Sequence, residues 1–139
     1  MGISITGVAI GVILAVSVGL LGRLTGMDRD RAAYPVILII IAFYYVLFAA
    51  ISESQPSFIK ELAIATIFSV FALTGFLYSL WFVVLGLAAH GLFDVFHPHF
   101  LAGTGAPSWW PGFCLGIDLV LAAILGWLLH SGQIETNPT

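Results

Sequence analysis

With 60% of its 139 residues hydrophobic, 8% charged and a mean hydropathy of +1.11, this chain excludes the soluble globular class, in which about a quarter of residues are charged. At about 20 apolar residues per membrane crossing, the length admits at most about five or six spans and a single domain. A net charge of −3 with no basic run excludes a nucleic-acid-binding surface and a polybasic lipid anchor, and the lone Cys114 excludes an intrachain disulfide.

Residues 3–22 form the first apolar stretch, which reads as a span because no basic segment precedes it as in a secretory signal. Gly7, Gly11, Ala15 and Gly19 recur in it at every fourth position. Such a small-residue ladder permits close helix approach, either to an internal helix or to a second subunit, and a homodimer or larger assembly through it is the expectation. A polar segment over 23–31 follows. Residues 34–52 form the second span, closed by Glu53, Ser54, Gln55 and Pro56, which are loop-forming residues. Residues 61–97 are mostly apolar, and as one helix they would reach roughly 55 Å, nearly twice the hydrocarbon thickness. The stretch must therefore fold back, and 74–79 is the expected break, giving spans near 58–74 and 79–97. Pro98 is expected to end the fourth span. A loop with Gly103, Gly105 and Pro107 leads through Trp109, Trp110 and Pro111 to a fifth span over 112–130, and a polar tail expected to fray. The fold class is all-α: one polytopic bundle of about five transmembrane helices over 1–139.

Three of the four basic residues, Arg23, Arg29 and Arg31, lie in the first loop. The positive-inside rule places that loop in the cytoplasm, so five spans put the N-terminus outside and the C-terminus inside. Trp109 and Trp110 fit an outer interfacial belt, while Lys60, flanked by Glu53 and Glu61, departs from the rule.

Ionisable residues inside membrane spans are costly and are usually functional. His90, Asp94 and His97 are related as i, i+4 and i+7, which places them on one stripe about 60° wide. Cys114 and Asp118 share one face of the last span. Counting back from the outer ends at about 1.5 Å per residue puts His90 and Asp118 both roughly 10 Å deep, with Asp94 and Cys114 one layer further out. His90, Asp94, His97, Cys114 and Asp118 are the side-chain types that hold zinc or another divalent transition metal. Alternatively His90, Asp94 and Asp118 form a catalytic acid–base set, in which a carboxylate orients an imidazole that moves a proton. The plainest alternative is that the polar pairs only join helices. Gly112 and Gly116 lie nearly opposite Cys114 and Asp118, so the fifth helix packs tightly on one side and carries its reactive groups on the other. Tyr44 and Tyr45 lie near the depth of His90 and either line the same cavity or pack. His99 reads as a solvated loop residue, and His130 lies at the opposite membrane face, too far to pair with His90 across a haem.

Over residues 61–125, the H-x3-D-x2-H segment, the proline-bearing loop and the C-x3-D segment resemble the integral membrane proteins of domain-of-unknown-function family 6010. The resemblance implies that His90, Asp94, His97, Cys114 and Asp118 correspond to that family's polar signature; it implies no activity. One departure is that the family has a second histidine directly after the one matched by His97, where this chain has Pro98 and then His99.

The leading functional expectation is a membrane-embedded enzyme with a His/Asp/Cys site near the outer face, acting on a lipid or other apolar substrate in a cavity walled by Phe93, Phe96 and Phe113. The alternative is a small transporter conducting protons or metal ions through Asp94, Asp118 and His90, although the sequence has no inverted repeat and no pair of broken helices. A structural subunit of a membrane complex is the third reading.

Overall fold

A computed structural model, described over residues 2–101 and 103–138, has five helices: α1 (Ile5–Thr25), α2 (Ala33–Ile51), α3 (Gln55–Leu77), α4 (Trp81–Phe100) and α5 (Trp110–His130). Each is long and apolar enough to cross a membrane, and all five expose large apolar side chains on their outer faces, as lipid contact requires. The fold is thus an all-α multi-pass bundle. Local signals set the helix ends. The Ser4 side chain accepts from the Gly7 N–H at 3.1 Å, and Gly26 closes α1 in the left-handed conformation at φ +79°. Gln55 and Pro56, expected in a loop, instead open α3, because a proline in the first helical turn loses no hydrogen bond.

The helices lie in the order α1, α5, α4, α3, α2, so that α1 and α2 flank an open side of the bundle. The reversal in the long apolar stretch falls between Leu77 and Trp81. Pro98 does not end α4, which continues to Phe100. A proline that close to the helix end forfeits only the one bond to the Asp94 carbonyl, so the last turn survives.

Of the two kinds of neighbour open to the first-span ladder, the structure supplies an internal helix. Gly7, Gly11, Ala15 and Gly19 are buried against α5 of the same chain. A Cβ at Gly7 would stand 2.5 Å from the Trp109 carbonyl oxygen, one at Gly112 2.6 Å from that of Ser4, and one at Gly116 2.5 Å from that of Val8. The α1 ladder and the Gly112/Gly116 pair therefore interlock backbone against backbone. A small-residue stripe encodes closeness but not the identity of its neighbour, and within the chain that neighbour is α5.

The tail is likewise not frayed. Arg31 donates from Nε to the Phe76 carbonyl at 2.8 Å and from Nη2 to that of Gly75 at 3.0 Å, while Nη1 reaches the Glu135 and Thr136 carbonyls at 3.1 and 2.9 Å. Arg23 bridges Asp28 at 2.9 Å and Gln133 at 3.0 Å, and Ile134 is buried. One guanidinium thus caps α3 and ties the tail across it. Arg31→Ala is expected to lower unfolding free energy in detergent by about 1.5–3 kcal/mol, the scale of hydrogen bonds to a charged group. Arg31→Lys should recover less than half of that, since an ammonium lacks the planar fork. An alanine variant as stable as the native protein would show that the clasp contributes nothing.

Candidate functional site

The polar stripe of α4 faces inward, with His90 1%, Asp94 0% and His97 2% exposed. Gly91 lets α5 approach: a Cβ there would meet the Asp118 Cβ at 3.0 Å. That closeness brings Asp118, itself 0% exposed, to His90. His90 Nδ1 lies 2.7 Å from Asp118 Oδ2 and 3.2 Å from Asp94 Oδ2, and one ligand atom from each of the three residues lies within 4.8 Å of the others. A single N–H can point along only one of these directions, and the hydrogen-bond geometry belongs to Asp118. Asp94 Oδ1, Asp94 Oδ2 and Asp118 Oδ1 are consequently buried without a hydrogen-bond partner. The imidazole also makes a T-shaped contact with Phe68, with centroids 4.7 Å apart.

His97 and Cys114 do not join this set. Seven residues of helix separate His97 from His90, about 10 Å along the axis, which is beyond the span of one shared ion despite the common stripe. His97 Nε2 pairs instead with Glu61 Oε1 at 2.6 Å, and its ring stacks on Tyr45 at a centroid distance of 3.8 Å. Cys114 packs with Tyr45 and Trp110, its thiol beside Asp94 but outside the three-residue cluster of ligand atoms. Asp94 therefore joins the two depths, reaching His90 and Asp118 on one side and lying beside the Cys114 thiol on the other.

Glu61 was not among the expected site residues, because it follows the exposed Lys60 and resembles a loop charge. It is 1% exposed and heads the buried stripe Glu61, Ala65, Phe68, Ala72 and Gly75 of α3. The alternating spacing of four and three is the signal that would have found it. Of the two tyrosines, Tyr45 is buried with its hydroxyl unpartnered, while Tyr44 faces outward. Phe96 also points outward at 55% exposure and so walls no cavity. His99 is exposed as expected, but on the last turn of α4 and not in a loop; His130 is exposed at the far end of α5.

No family model, curated protein or solved structure matches this chain. Its chemistry is therefore read from the side chains alone.

Two cavities adjoin the polar residues. One, of about 320 Å³, lies beneath the α4–α5 loop and is lined by His97, Pro98, Thr104, Gly105, Pro107 and Gly112 among others. The other, about 390 Å³, is an apolar crevice on the open side between α1 and α2, reaching Ile41, Tyr44, Trp110, Phe113 and Cys114. Toward the arginine end the His90 cluster is followed by Leu80, Val83, Leu87, Leu121 and Leu125, each no more than 2% exposed. The cluster can thus accept a small cation, and what it can exchange with is set by these surroundings.

Proposed function

We propose that the protein is a small membrane transporter of protons, with Asp118, His90 and Asp94 as its buried loading centre. The observation that carries this reading is the trio of donor-less carboxylate oxygens around one imidazole. Two carboxylates with a neutral imidazole bring two negative charges into an interior where each uncompensated ion costs several kcal/mol, so the centre must take up positive charge. Protons meet this need at the existing spacing. The 2.7 Å separation of His90 from Asp118 is a hydrogen-bond length. Two ligands on one zinc ion with bonds of about 2.0–2.1 Å would stand roughly 3.3 Å apart, so a metal requires the pair to open. The near-zero exposure of all three residues also leaves no surface on which an acyl chain could react. As part of the same proposal, the arginine end faces the cytoplasm, the His97 end faces outward, and the signature resembling family 6010 is the proton-bearing segment.

The test is proton uptake into vesicles containing the purified protein, driven by an imposed potential, with metal content measured in parallel. We expect uptake above protein-free vesicles, reduced at least tenfold by Asp94→Asn or Asp118→Asn, and substoichiometric metal. One equivalent of zinc that Asp118→Asn removes would instead establish a metal centre, and native-rate uptake in both variants would refute the proposal.

A lipid-modifying enzyme is the second reading, favoured by one observation: the lipid-facing crevice between α1 and α2 ends at Cys114, beside Asp94. Mass analysis of lipids incubated with native and Asp94→Asn protein distinguishes it, since only an enzyme yields a product that the variant does not.

A further inference from the structure

We propose that protons reach the His90 centre from the loop end of the bundle, through the His97–Glu61 pair, with the Tyr45 hydroxyl as the connecting group. This rests on the proton-handling reading of the centre. Four observations carry it.

The cavity beneath the α4–α5 loop is lined by His97, which places an imidazole at the boundary between that space and the interior. His97 is held by Glu61 at 2.6 Å, both residues being buried, so a second carboxylate–imidazole pair stands between the loop and the first. Tyr45 stacks on His97 at 3.8 Å, which leaves its hydroxyl and the imidazole nitrogens no more than one bridging water apart. That hydroxyl is buried, makes no well-formed hydrogen bond, and lies beside the Asp94 carboxylate. In the other direction the buried apolar side chains of Leu80, Val83, Leu87, Leu121 and Leu125 separate the centre from the next buried polar groups, Tyr34 and Asp28 at the arginine end.

Tyr45 is suited to this position because a hydroxyl both donates and accepts. A proton taken up at His97 passes toward Tyr45 Oη as the proton already on Oη moves to an Asp94 carboxylate oxygen. The His97 N–H and Tyr45 O–H bonds break as new O–H bonds form on Tyr45 and on Asp94, the phenol stays neutral throughout, and one proton has entered the centre. Phenylalanine in the same place preserves the stack and removes the hydroxyl that does this. The geometry therefore assigns Tyr45 and Glu61, neither of them in the three-residue cluster, to the loading of that cluster.

The experiment follows the infrared carboxyl band of the purified protein in nanodiscs after a rapid drop in pH. Asp94→Asn and Asp118→Asn identify the band. In Tyr45→Phe we expect its rise to slow at least tenfold while its final amplitude and the melting temperature match the native protein; a merely structural role would change those two quantities together. Ser108→Trp, at the exposed mouth of the cavity, should slow the rise similarly without touching the interior. Native rates in both variants would overturn the route. Slowing in Ser108→Trp alone would overturn the connecting role of Tyr45. A native protein with no pH-responsive carboxyl band would overturn the proton reading itself, and the route with it.

Discussion

Gly11→Leu should detach α1 from the bundle. A side chain at Gly11 points directly into the Phe113 carbonyl and the Ile117 amide of α5, which are backbone atoms and cannot rotate aside. Relief requires the whole helix to move, which also opens the contacts at Gly7, Gly112 and Gly116. Overpacking of a well-filled interior typically costs about 1–3 kcal/mol, and a backbone obstacle over several turns places this variant at about 3 kcal/mol or more. Gly126→Ala is the matched control. Its Cβ would meet nothing closer than 3.6 Å, from the Trp81 ring, so the change should be neutral or stabilising by up to about 1 kcal/mol through helix propensity. Unfolding in mixed micelles, with protease access to α1 as a second readout, compares the two. Equal stabilities would mean that the ladder contact carries no energy.

The second large effect is at the buried centre. His90→Ala leaves Asp94 and Asp118 facing each other with no donor between them, and breaking a buried charge pair in this way typically costs about 3–5 kcal/mol. Asp118→Asn should cost less, because the amide still offers hydrogen bonds. The double variant is expected to be at least as stable as His90→Ala alone, since the second change removes one of two opposed carboxylates. The coupling energy should therefore fall toward the upper part of the 0.5–3 kcal/mol range usual for residues in contact. Strictly additive losses in a double-mutant cycle would show that the two residues act separately.

The proximity of His90 and Asp118 was legible in the sequence, because membrane helices convert residue number into depth at a fixed rise and the α4–α5 loop is long enough to make the two helices neighbours. The five spans were legible for the same reason, since hydrocarbon thickness limits helix length. What escaped depends on lateral arrangement, which depth does not constrain. Glu61 lies on a helix two spans away from Asp118, and its role appears only once α3 is seen beside α4. The α1 ladder had no identifiable partner until α5 was seen against it. Arg31 was readable as a topological signal, but its four carbonyl acceptors come from two segments that no local pattern connects to it. His97 and Cys114 fell on the expected faces, yet a shared face is a direction only, and axial rise put His97 out of reach.

Because α1 packs on α5 and is not seated against α2, chain order and packing order run opposite to each other. During synthesis α1 is available early, while its interlocking partner emerges only after three further helices have been made. Until then the glycine face has no protein to meet and must be shielded by lipid or by the insertion machinery. Assembly of this bundle is thus completed by a clasp between its first and last helices, and a nascent chain stalled before α5 would hold a correctly inserted first helix that belongs to nothing yet folded.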